Sequence, residues 1–264
     1  MTTAVTTMGW PRWRRSWWHH AMQFRQTWQG SVYSTVLFPV FYLGAMGVGV
    51  GHLVSAHAGL VAGQTYLHFI APGLLATTAL QLGESESLYP VLAGLKWERS
   101  YHAAVSTPLE PRDLLWGKLT WLATRGLFTG LVYTIAFGAF GVLASWWALT
   151  LPLLGALMTV AIAAPLVAYA ATCEEDTSFA YIYRFAVVPM TLFSATFYPL
   201  SAYPSGLQPI VQLMPLYHGV ALTRSAAFGQ GSLGPIVAHL AVLFAMLLAG
   251  LWWGQRTLTR RLVD

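Results

Sequence analysis

The sequence predicts an all-α polytopic membrane protein with six transmembrane helices, an N-terminal interfacial amphipathic helix and an outer re-entrant helical segment before the last span. Three observations carry that reading. Of the 264 residues, 56% are hydrophobic and 9% charged, whereas a soluble domain has about a quarter of its residues charged. Several apolar runs reach the roughly 20 residues that a helix rising about 1.5 Å per residue needs to cross about 30 Å of hydrocarbon. The basic residues, which leave a net charge of +5, fall between those runs in an uneven pattern.

The first element is WPRWRRSWWHHAMQFRQTW, from residue 10. At helical spacing Trp10, Trp13, Trp17, Ala21, Phe24 and Trp28 share one face, with Arg12, Arg15, His19, Gln23 and Gln26 mostly off it. Aromatic rings opposite basic side chains suit the boundary between lipid tails and headgroups. Residues 10–29 are therefore expected to lie along the cytoplasmic membrane surface, a better fit than the nucleic-acid role that interleaved Arg and aromatics also suggest. No short apolar core with a small-residue cleavage site follows, so removal of a signal peptide is not expected.

The six spans are expected at about 31–51, 67–89, 118–143, 150–172, 184–200 and 233–254. With a cytoplasmic N-terminus, Arg12, Arg14, Arg15, Arg25, Lys96, Arg99, Arg112, Lys118, Arg256, Arg260 and Arg261 all fall inside, eleven of the fourteen basic residues. The positive-inside rule then puts both termini in the cytoplasm. Trp146 and Trp147 at an outer turn, and Trp252 and Trp253 before Arg256, suit aromatic belts. Two connectors are unusual. The inner segment 96–118 has room for a short helix, a break at Pro108 and Pro111, and a run into span three. The outer segment 201–231 is apolar but broken by Pro204, Pro209 and Pro215, so it should dip partway in as short helices. No internal repeat stands out, and 1–264 reads as a single transmembrane domain.

Candidate chemistry is sparse. The one cysteine, Cys173, excludes an internal disulfide and a zinc thiol pair. No G-x-x-x-x-G-K-[ST] occurs, so any ATP is hydrolysed elsewhere. Glu84 and Glu86 close span two and Arg125 lies one to two turns into span three. Since ionised groups at membrane depth need a partner or water, either glutamate is a candidate partner for Arg125, unless both already sit in cytoplasmic water. Glu174, Glu175 and Asp176 read as a solvated loop, because adjacent carboxylates diverge. His52, His57 and His68 lack metal-site spacing, and His239 reads as hydrogen-bonded to a neighbour. Gly44, Gly47 and Gly51, and Gly126 and Gly130, give small faces for helix packing. Phe193, Phe197, Tyr198, Tyr203 and Tyr217 are candidates to line an exit or to anchor at the interface.

The runs FIAPGLLATTAL from Phe69, ERSYHAAVSTPLEPRDLLWGK from Glu98 and FYPLSAYPSGLQPIVQLMPLYHGVALTRSAAFG from Phe197 resemble the type 2 permease family of ATP-binding-cassette exporters, in the branch of the nodulation-factor export and daunorubicin-resistance permeases. The resemblance covers nearly the whole chain. It implies a bacterial plasma-membrane subunit with no cofactor of its own, pairing with a second permease chain, identical or paralogous, and with ATPase subunits that use ATP and Mg. It also implies a cytoplasmic coupling helix at about Trp97 to Val105, including Glu98, Arg99, Tyr101 and His102, with Thr107, Pro108 and Leu109 fixing its exit; the residues alone also allow a plain basic loop. The expected cargo is an amphiphilic compound such as a drug, glycolipid or lipid-linked saccharide, moved outward. Rival readings are a membrane-embedded lipid-modifying enzyme, for which convergent catalytic groups are missing, and a proton-coupled secondary transporter, disfavoured by the few intramembrane acids.

Overall fold

In the computed structural model, described for residues 11–50, 61 and 63–263, the chain is helical nearly throughout. The first helix, α1, runs Trp13–Gly44 and continues as a π-helical turn, Ala45–Val50. No break separates the expected surface segment from the expected first span; the nearest residues with weak helix propensity, Gly30 and Pro39, are both absorbed within the helix. Trp10 lies outside the described residues, as do His52 and His57.

After α2 (Tyr66–Ser85) the chain turns through a short α3 (Tyr89–Leu92) and a π turn (Ala93–Trp97) into α4 (Ser100–Val105). The next helix, α5, spans Pro111–Ala139. It starts seven residues before the expected span. Pro111 occupies its first turn, where a missing N–H costs nothing, and Glu110 and Asp113 form a capping box, the Glu110 N–H donating to Asp113 Oδ2 at 3.1 Å. Pro111, expected as part of a break, is thus a start signal.

A 3₁₀ turn (Trp146–Thr150) leads into α6 (Leu151–Ala170). The next helical run comprises α7 (Thr177–Ile182), a π turn (Tyr183–Val187) and α8 (Val188–Phe193). It lies about seven residues earlier than the expected 184–200. It stops at Ser194 because Ala195 takes a left-handed backbone, φ 59°. The outer segment forms two helices, α9 (Gln208–Leu213) and α10 (Pro215–Phe228), each begun by a proline in its first turn and parted at Met214. The long α11 (Leu233–Val263) ends the described chain.

Among the described residues, three stretches are long and apolar enough to cross a membrane: Pro111–Ala139, Trp146–Ala170 and Leu233–Val263. The protein is therefore an all-α, multi-pass membrane protein. α6 is central, packing on α5, α11 and α2, while α10 fills the space between α2 and α11. Glycines set the closest approaches. A Cβ on Gly126 would lie 2.6 Å from Thr159 Oγ1, one on Gly130 2.6 Å from Pro152 Cα, and one on Gly250 2.5 Å from the Pro165 nitrogen. The small face of the expected third span is thus used within the chain, against α6.

Candidate functional site: a polar cavity beside the loop helix

Helix α1 docks on α5. Ser16 faces Gly117, where any Cβ would stand 2.4 Å from the serine side chain. Trp17 meets Trp121 edge-on at 5.8 Å and donates from Nε1 to Thr124 Oγ1 at 3.2 Å. Phe24 meets Trp121 at 5.4 Å, and the Arg125 guanidinium lies over the Phe24 ring at 5.0 Å. The aromatic face read from the sequence is thus partly taken by a neighbouring helix, which covers aromatic rings as well as lipid does. Trp13 is half-buried, and Trp28 and Arg15 are exposed. The helix start is tied in as well, with Arg12 Nη1 3.3 Å from Glu110 Oε1.

Between α1, the Ala93–Trp97 turn, α4 and α5 lies a cavity of about 330 Å³, lined largely by polar residues. Glu86, at the C-terminal cap of α2, enters it and meets two cations from α5: Arg125 Nη1, and Lys118 Nζ at 3.4 Å. Lys118 and Arg125 stand seven residues apart, two helical turns, and so share a face. The carboxylate in contact with Arg125 is Glu86; Glu84 is buried on α2, away from that contact. Lys118 was expected only as a loop-bounding charge, and its i, i+7 spacing to Arg125 was the signal for a second partner.

His20 lines the same cavity. Burial first, then the Lys118 charge and then His19, push it down to about 3, so its ring is neutral at pH 7.

The 97–109 loop that carries α4 has an anchored back and an exposed front. Tyr101 is buried, and burial pushes its hydroxyl up, with Glu98 adding to the shift. Gly94 admits it closely, since a Cβ there would lie 3.2 Å from the Tyr101 ring. Ala104, Val105 and Leu109 pack on the inner core. Thr107 donates from Oγ1 to the Ala104 carbonyl at 2.6 Å, closing the helix before Pro108. His102 is half-buried. In front, Trp97 is 57% exposed, Glu98 is exposed, and Arg99 is exposed in a left-handed conformation, φ 52°.

The carboxylate loop after α6 is tied down from two sides. Lys96 Nζ donates to the Glu174 carbonyl at 2.5 Å. Arg261 donates to the carbonyls of Ala171, at 2.9 Å, and Cys173, and its Nη2 lies 3.4 Å from Glu174 Oε1.

Toward the other end of the molecule the candidate exit residues are not gathered. Phe193 and Tyr198 are exposed, Phe197 packs on a core cluster, and Tyr217 stands edge-on to His218 and His239. His239 does have a neighbour, His218, with the two Nδ1 atoms 2.8 Å apart. His68 bridges Thr65 Oγ1, at 2.6 Å, and the Gly141 carbonyl, at 3.2 Å. Sequence reasoning also missed Arg224. It donates from Nε to the Phe69 carbonyl at 3.2 Å and from Nη2 to the Thr196 carbonyl at 3.1 Å, with its guanidinium 3.9 Å over the Phe69 ring. A second cavity of about 350 Å³, mostly apolar, lies between the Trp146–Thr150 turn, α10 and α11. No group of three or more His, Cys, Asp or Glu among the described residues is arranged to hold a metal ion.

Known proteins are similar in sequence over most or all of this chain. Nodulation protein J of Rhizobium leguminosarum bv. viciae is 26% identical over 265 residues, covering 100% of each chain. Its namesake from Rhizobium meliloti (strain 1021) is 24% identical over 98% of this chain and 97% of its own. The inner membrane transport permease YadH of Escherichia coli (strain K12) is 24% identical over 81% of this chain and 83% of its own. The sequence profile described as "ABC-2 family transporter protein" matches residues 62–254, from the approach to α2 through most of α11. The chain belongs to the ABC-2 family of transporter proteins.

Proposed function

We propose that this permease moves an amphiphilic compound, such as a drug, glycolipid or lipid-linked saccharide, outward across the membrane. As a member of its family it is a transmembrane permease subunit of an ABC-type exporter, a multi-pass protein of the bacterial inner membrane and not an enzyme. In the proposed arrangement its chain forms one permease domain crossing six times, both termini are cytoplasmic, a second permease chain completes the pathway, and separate ATPase subunits supply ATP hydrolysis with Mg.

The observation that carries this reading is the two-sided form of the 97–109 loop around α4. Its back is fixed by Tyr101, Val105 and Leu109, while Trp97, Glu98 and Arg99 face outward. A short rigid element held this way converts movement of a docked ATPase into tilting of the helices behind it. Glu86, Lys118 and Arg125 brace α2 against α5 beside it. Phe193, Phe197, Tyr198 and Tyr217 are assigned to the outer side of the pathway.

The test is co-expression with a candidate ABC ATPase subunit from the same source, comparing wild type with a chain in which residues 98–105 are replaced by a Gly/Ser linker, and with Trp97→Ala. The expected result is a copurifying ATPase with cargo-stimulated hydrolysis, lost in the linker variant and weakened by W97A. An ATPase that copurifies equally with all three, with equal stimulation, would overturn the coupling role.

A further inference from the structure

The cavity beside α4 holds more positive than negative charge in its interior. Lys118 and Arg125 both enter it, with side chains 4% and 16% exposed, and Glu86 is the carboxylate that meets them. Glu98 also lines the cavity, but it stands exposed at the rim, where water screens it. An interior cation that shares its counter-ion with a second cation is under-compensated, and a further anion lowers the cost of its burial. Hydrogen-bonding side chains line the same cavity: His19, His20, Gln23, Gln26 and Ser100. The volume of about 330 Å³ is that of about ten waters at roughly 30 Å³ each, enough for a phosphodiester and the glycerol carbons next to it.

The position of the cavity selects the source of that anion. It is walled by α1 and by the stretch of α5 two to four turns in from its start, on the side where the proposed topology puts the cytoplasmic headgroups. The α1 wall carries exposed Trp18 and Trp28, the side chains that settle at the headgroup boundary. Basic pockets among membrane helices on the cytoplasmic side suit anionic headgroups.

We propose that this cavity binds the phosphate of an anionic phospholipid from the cytoplasmic leaflet, with Lys118 and Arg125 as its cationic partners and Glu86 as the carboxylate it competes with. The leaflet rests on the topology of the proposed function. The binding itself does not, because it needs neither an ATPase nor a cargo.

The experiment uses the full-length permease, delipidated in a non-ionic detergent and titrated with phosphatidylglycerol, or with diacylglycerol of the same chains, with bound lipid counted by native mass spectrometry. Phosphatidylglycerol should bind at least about tenfold more tightly than diacylglycerol. Lys118→Gln should weaken it by about tenfold, the factor corresponding to 1.4 kcal/mol. Glu86→Gln should strengthen it, since it removes the competing charge; a structural fault would act in the opposite direction. Inorganic phosphate and glycerol 3-phosphate, added at millimolar concentration, should displace little of the lipid. Equal binding of the two lipids by the wild type would overturn the proposal, as would weaker binding in an E86Q protein that stays folded and monodisperse under the same conditions. Complete displacement by inorganic phosphate would reassign the site to a free anion. If Lys118→Gln or Glu86→Gln does not fold, the wild-type comparison of the two lipids decides the matter. Lipid binding without any ATPase assembly would leave this inference standing while removing the proposed function.

Discussion

Replacing Glu86 by glutamine should destabilise the protein more than any other single charge removal on the loop-helix side. Glu86 faces two cations, and its side chain is 27% exposed. At an effective dielectric of about 20, unit charges 3.4 Å apart interact by about 5 kcal/mol. Desolvation of the partners offsets part of that. Removing one member of a buried pair typically costs about 3–5 kcal/mol, because the partner remains buried and charged. The residual exposure of Glu86 and Arg125 reduces the expectation to about 2–4 kcal/mol. The assay is equilibrium unfolding in mixed micelles for E86Q, R125Q and the double variant. Their coupling energy should fall at about 1–3 kcal/mol. A destabilisation below about 0.5 kcal/mol for E86Q, the level of an ordinary surface change, would refute the idea that these charges are buried together. A charge swap, Glu86→Arg with Arg125→Glu, should recover only part of the loss, since Lys118 would then face an arginine at 3.4 Å instead of a carboxylate.

Other consequences are as direct. Gly250→Ala places a methyl 2.5 Å from the Pro165 nitrogen, so α11 and α6 must part, at a cost of about 1–3 kcal/mol, readable as a lower unfolding midpoint; Gly44→Ala, with nothing within 4 Å, should leave it unchanged. Arg224→Gln frees the Phe69 and Thr196 carbonyls, each losing a charged hydrogen bond of about 1.5–3 kcal/mol, and should speed proteolysis near Ala195 in purified protein. His20 takes up a proton near its ordinary value of 6.5 when unfolded but only near about 3 when folded. Stability should therefore be full above pH 6.5 and fall as the pH is lowered from there toward 3. A His20→Asn variant should show a flatter unfolding midpoint between pH 7 and 5.

What the sequence disclosed follows from the range of the forces involved. Composition and run length disclosed the long apolar helices, because the cost of burying backbone in hydrocarbon acts on each segment separately. A contact between one glutamate at the end of α2 and Arg125 was one of the two readings the sequence left open, because the expected second and third spans are neighbours in the chain; Glu84 and Glu86, a fraction of a turn apart, could not be told apart without the exact end of α2. The docking of Trp17 and Phe24 on Trp121 was not legible. It joins residues about a hundred positions apart, and an aromatic face reads the same whether lipid or a helix covers it. The π turns at Ala45–Val50, Ala93–Trp97 and Tyr183–Val187 left no compositional trace. Pro111 was misread because a proline that ends one helix and a proline that begins the next differ only in what precedes them, here the Glu110 cap.

The unbroken course of α1 has a mechanical consequence. Thirty-two residues at 1.5 Å each make a rod of about 48 Å, and a rod cannot both lie flat on a bilayer and pass through it. If its C-terminal half crosses the membrane as proposed, its N-terminal half stands at a tilt, propped against α5 at Ser16, Trp17 and Phe24. The prop near one end is a fulcrum. Whatever enters or leaves the cavity at that point swings the far end through a larger arc than it moves the near one.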